Sequence, residues 1–290
     1  MGEPTKVVDS AVYKRQELLY SLYGIDVKLV ASDNVISTVN NAAASGTYVC
    51  DVVTMPGTDS MSTALKGYLY DLNGFSQLKL DASYYDQSIQ TEYRIGNRLF
   101  QIDGDFSSID EMRTQCVGFS RQLYSDYGYD DTYGSPYELV RDMKWTYDVM
   151  YDMYKDRAFD LNGDDKYTDV DRFGLIGDAY VPYVLIRGGG IRAFDNEDGK
   201  LVLRLSNSTL RETMLNALDR ICTDYAKVDF LSHDRTDWTT GDRATVATAI
   251  FANNQALFRF TTFSALFRLL ETKFEFGILP VPALSEGQDR

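Results

Sequence analysis

Helix-like stretches and short runs of branched apolar residues take turns along the first part of this chain, each closed by a glycine or a proline. This alternation limits the fold more than any other feature. Asp9 can cap a helix carrying Val12, Leu18, Leu19 and Leu22, Gly24 stops it, and residues 25–30 alternate apolar and polar side chains as a strand does. Val35, Ile36 and Val39 then lead a second helix that ends near Gly46, and a second strand over 49–53 breaks at Pro56-Gly57. Helices alternating with short β-branched strands predict a parallel sheet covered on both faces. Such sheets bind ligands at the carboxyl ends of their strands, which directs attention to Ser32-Asp33-Asn34 and to Met55-Pro56-Gly57-Thr58.

The 290 residues exceed one domain of usual size, so two lobes of about 100 to 150 residues are expected. A second lobe opens near Cys116 with a strand over 116–119 and a helix over 121–127 closed by Gly128. Ser135 with Pro136 at the first helical position starts another helix, and Thr146 caps a run over 147–157. Strands over 173–176 and 201–203 frame a helix over 181–187. A long amphipathic helix follows over 208–228 on Leu210, Met214, Leu218, Ile221, Cys222 and Tyr225. The pattern closes with a helix over 245–253, a strand over 256–260, a helix over 263–271 and a strand over 274–279.

Composition narrows the partners. A formal net charge of -14 argues against nucleic acid and anionic membranes, and it favours a soluble monomer. The 21 tyrosines, against 15 phenylalanines and 2 tryptophans, supply flat faces with a polar edge, suited to stacking on sugars, although most would simply pack. Cys50, Cys116 and Cys222 are far apart, with no CxxC pair, so buried free thiols are expected, with one bridge left open for a secreted protein. No apolar run approaches the roughly 20 residues that span a bilayer, and no signal segment precedes Val7.

The segment Asp160-Leu161-Asn162-Gly163-Asp164-Asp165-Lys166-Tyr167-Thr168-Asp169-Val170-Asp171 matches a twelve-residue calcium loop at its ligand places. Calcium takes six to eight oxygens, and alternate residues of a tight loop aim theirs at one point. Asp160, Asn162, Asp164, the Lys166 carbonyl, Thr168 and a closing Asp171 are the candidate ligands of a structural calcium. Place six, ordinarily glycine, is Asp165, a residue type that tolerates the left-handed turn. The alternative is a solvated acidic loop.

Catalysis is the weaker reading. The single histidine, His233, sits in a polar stretch and leaves no His-based triad or His-rich metal centre. No phosphate-loop or nucleophile-elbow pattern occurs, and Gly188-Gly189-Gly190 reads as a helix end. Paired carboxylates of a carbohydrate-active enzyme remain as one alternative, and a calcium-stabilised adhesion or scaffold module as another.

Several phrases, in order, resemble a known family. They include Asp9-Ser10-Ala11-Val12-Tyr13, Asp51-Val52-Val53, Tyr70-Asp71-Leu72-Asn73, Ser83-Tyr84-Tyr85-Asp86-Gln87, Pro136-Tyr137-Glu138-Leu139-Val140, Lys144-Trp145-Thr146, Asp171-Arg172-Phe173-Gly174 and Gly277-Ile278-Leu279-Pro280. Together they resemble the extracellular solute-binding proteins of sugar-type ABC importers (family 1), in their clostridial branch. The resemblance implies an α/β, bilobal, periplasmic-binding-protein-like fold of type II. It would have two parallel or mixed sheets and a hinge, and would lack the family's first strand and C-terminal part. Lobe 1 would take 1–114, lobe 2 would take 115–257 with the acidic loop 160–171, and 258–290 would return to lobe 1, with crossovers near 113–117, 257–261 and beyond Pro282. It implies capture of a mono- or oligosaccharide for an ABC permease, without catalysis, by an extracellular lipoprotein anchored to the membrane. Carried over by position, the cleft residues are Asp33, Pro56, Gly57, Asp105, Phe106, Asp178, Tyr180, Tyr183, Phe260, Thr261 and Phe263, whereas Tyr84, Tyr85 and Trp145 are assigned to structure.

Overall fold

The computed structural model describes residues 7–232, 243–270 and 272–288. His233 lies outside them. The chain divides into two compact units, residues 1–74 and 75–290.

The first unit holds three α-helices among its described residues, α1 (Val7–Tyr23), α2 (Val35–Ser45) and α3 (Gly57–Leu65). Their ends follow the sequence signals. The Gly24 amide donates to Tyr20 O at 2.9 Å, the Asn34 side chain accepts from the Ser37 amide, and Gly46 closes α2 in the left-handed region at φ 67. Asp9 corrects one expectation, because it stands in the first turn of α1 instead of before it. The two expected strands, 25–30 and 49–53, are a larger correction, since neither forms. A strand exists only through a ladder partner, and among the described residues none pairs with these segments. Leu29, Val30 and Val52 are accordingly more than four-fifths exposed.

The second unit is built on a sheet. Helices α4 (Gln87–Glu92) and α5 (Ile109–Arg113) lead to strand β1 (Gln115–Ser120). Four short helices follow, α6 (Arg121–Asp126), α7 (Tyr129–Tyr133), α8 (Pro136–Arg141) and α9 (Tyr147–Tyr154). Next come β2 (Phe173–Gly177), α10 (Val181–Gly188), the hairpin β3 (Phe194–Glu197) and β4 (Lys200–Leu203), and α11 (Ser208–Tyr225). The unit ends with β5 (Phe230–Ser232), α12 (Arg243–Ala252), β6 (Ala256–Thr262), α13 (Phe263–Phe267) and β7 (Phe276–Pro280).

Five strands form one sheet in the order β5-β2-β6-β1-β7. β2 runs parallel to β5 and β6, while β1 runs antiparallel to β6 and β7, so the sheet is mixed. Both faces are covered, as the near-continuous apolar strands require. Alternation along β1 sends Val117 and Phe119 to a core shared with Trp145, Met150, Tyr154, Leu175 and Phe258, and Cys116 to one shared with Phe173, Ile176, Phe251 and Leu266. Trp145 is sealed in the first core and donates from Nε1 to Pro280 O at 2.8 Å. Tyr85 is buried as well. Cys116 is the buried thiol that was expected, pushed up to about 12 by burial against a lowering influence of Arg259. Cys50 and Cys222 are free but exposed, contrary to expectation.

Helix α9 stops three residues short of the expected run. The amides of Arg157 and Ala158 are drawn off by Asp229 Oδ1, at 2.8 and 2.9 Å, and Asp156 adopts φ 57. The hairpin turn at Asp198-Gly199, with φ 51 and 79, pairs β3 with β4 although the β3 sequence Phe-Asp-Asn-Glu has little strand preference. Among the described residues no helix is long and apolar enough to cross a membrane.

Candidate functional site

The parallel strands β2 and β6 run side by side with Ile176 beside Arg259, so the chain leaves both at one carboxyl edge. Asp178 follows β2 at once, and Thr261 and Phe263 lie at and just after the end of β6. The edge is closed by a hydrogen bond from the Phe263 amide to Thr114 O at 3.2 Å, just ahead of β1. Cys116 on β1 is paired with Thr261 on β6 at this edge.

Asp178 shapes the edge. Its Oδ1 accepts from the Tyr180 amide at 2.9 Å and its carbonyl from the Val181 amide at 3.2 Å, which launches α10. Glycine at 177 permits the sharp entry, since a Cβ there would stand 2.5 Å from Val181 Cγ2. Tyr180 and Tyr183, three apart on the first turn, share one helix face and are 71% and 62% exposed. Exposed rings can stack on flat C–H faces, and a carboxylate beside them can accept hydroxyl hydrogen bonds.

The remaining candidates are distributed differently. Phe260 is opposite Val117 in the register, and its ring is in the core at 4% exposure. Asp105 and Phe106 lie on a loop held to Tyr84 and Tyr85: Asp105 N donates to Tyr84 O at 2.9 Å, and the Phe106 and Tyr85 rings are 6.0 Å apart, edge to face. Gly104 makes this approach possible, because a Cβ there would meet Tyr84 O at 2.0 Å. In the first unit, Asp33 occupies the turn before α2, and Pro56 and Gly57 start α3, where the Pro56 carbonyl accepts from Asp59 and Ser60 at 3.0 Å.

Phe263 also opens on a groove of about 580 Å³ between α13 and β7. Phe267, Phe274 and Phe276 line it, with Tyr137, Arg121 and Glu275. Sequence reasoning did not gather these residues, since four separate elements supply them. Only their aromatic content was a signal.

The acidic loop is ordered by its own carboxylates. Asp160 accepts from the Gly163 and Asp165 amides at 2.6 and 2.8 Å, Asn162 from Asp164 at 3.1 Å, and Asp164 from Lys166 at 2.9 Å. Asp165 adopts φ 58, so the turn ordinarily assigned to glycine at place six is made by aspartate. Local desolvation raises the Asp160 carboxyl, but the amides of Gly163, Asp165, Asp164 and Asn162 outweigh it and hold the group below its usual range. Asp171 is fully buried and binds both arms of the loop, Oδ1 accepting from Leu161 N at 2.9 Å and Oδ2 from Thr168 N at 2.8 Å. Among the described residues, no three acidic, histidine or cysteine side chains gather into one cluster.

No protein-family model and no curated protein matches the sequence. Solved structures do match. The maltose/maltodextrin-binding domain MalE from Bdellovibrio bacteriovorus, bound to maltotriose, has TM-score 0.58 and 16% identity over 96% of this chain and 63% of its own. The Thermus thermophilus maltotriose binding protein, bound with maltotriose, has TM-score 0.52 and 16% identity over 94% and 63%. A cyclo/maltodextrin-binding protein complexed with maltotetraose has TM-score 0.60 and 14% identity over 97% and 64%. The chain therefore spans less than two thirds of the length of each. At these identities the likeness establishes architecture: the chain has the mixed α/β fold of the bilobal maltodextrin-binding proteins.

Proposed function

We propose that this chain captures a mono- or oligosaccharide without transforming it, as the binding component of an ABC importer. The observation that carries the reading is the exposed Tyr180–Tyr183 pair beside Asp178, at the carboxyl edge of a sheet, in a fold whose solved examples hold maltooligosaccharides. Delivery to a permease, an extracellular lipoprotein setting and a monomeric state belong to the same proposal, as do the lobes 1–114, 115–257 and 258–290. A thermal-shift screen over sugars tests it. A sugar at a hundredfold excess over its Kd adds about 2.7 kcal/mol to stability. Glycoside turnover by the pure protein, or no shift with any sugar, would sink the reading.

The two rings give the finer test. Tyr180→Ala and Tyr183→Ala are each expected to weaken sugar binding about tenfold, or about 1.4 kcal/mol. Unfolding free energy should stay within about 0.5 kcal/mol of the parent, because neither ring is packed. Titration calorimetry and a urea melt separate these effects.

A structural calcium in the loop is the second part of the proposal. Asp160, Asn162, Asp164, the Lys166 carbonyl, Thr168 and Asp171 would hold it, and the left-handed turn at Asp165 fits such a loop. Carboxylate oxygens that accept one amide keep further lone pairs for a cation. Calcium would staple the loop's arms and supply no chemistry to the sugar. Chelation is expected to lower the melting temperature, and Asp164→Ala to remove that response. If the parent melts identically with and without chelator, the acids only order the loop.

A further inference from the structure

We draw no further inference here: the strongest candidate, the apolar groove between edge strand β7 and α13, lined by Phe267, Leu270, Phe274 and Ile278, adjoins the site already described through Phe263, and nothing in the structure shows what covers the rest of it.

Discussion

A Gly174→Ala variant is expected to lose about 4 kcal/mol of stability or more, enough to abolish cooperative folding in a marginal protein. A Cβ at this position would stand 2.0 Å from Tyr154 O and 2.8 Å from its carbonyl carbon. Both obstacles are backbone, so no side chain can swing away; α9 and β2 must move apart. Movement is costly because Gly174 and Leu175 both donate to Asp229 O at 3.0 Å, within a strand buried along its length. Gly163→Ala is the control. It has nothing within 4 Å of its Cβ position and meets only the cost of φ 74, about 1 kcal/mol. Urea melts of the two variants would decide the matter. Equal, small losses would mean that α9 and β2 are not in close contact.

Replacing Arg259 by methionine has the opposite sign. The guanidinium is 1% exposed, and among the described residues its Nε and Nη1 have no hydrogen-bond partner. Burial pushes its pKa down to about 10, with Cys116 acting to raise it and Arg268 to lower it further, so the group is still charged at neutral pH. A buried charge without a close partner opposes folding, and an apolar side chain of similar length removes that opposition. Arg259→Met should therefore raise the unfolding free energy by about 1 to 4 kcal/mol. A loss of stability in the methionine variant would show the guanidinium to be hydrogen-bonded in solution.

Much of the second unit was legible because its signals are local. Thr146 accepts from Val149 N as a cap should, Pro136 opens α8, and Gly128 and Gly190 sit at φ 69 and 73 beside helix ends. What failed was non-local. Residues 25–30 and 49–53 have strand character, yet a strand needs another backbone to pair with, and sequence periodicity says nothing about its presence. The end of α9 was set by Asp229, more than 70 residues away. Strand β3 carried one neglected cue, the Asp198-Gly199 pair that commonly turns a hairpin.

The candidate site divides in the same way. Asp178, Thr261 and Phe263 come together because parallel strands end at a common edge. Phe260, one residue before Thr261, turns inward by the period of two, which a list of neighbouring positions does not convey. The exposure of Tyr180 and Tyr183 was likewise invisible, since a helix of eight residues shows too little of its pattern to separate packed rings from free ones.

Strand β2 is a rod five residues long, held at one end by the Asp229 backbone carbonyl next to the Asp171 carboxylate and bearing the tyrosine turn at the other. Its two ends are expected to open together. In hydrogen exchange, the amides of Leu161, Thr168 and Ala158 should report the same opening free energy as those of Leu175 and Ile176, as one foldon. On that expectation, loosening the root of the rod also disturbs the Tyr180–Tyr183 turn at its tip.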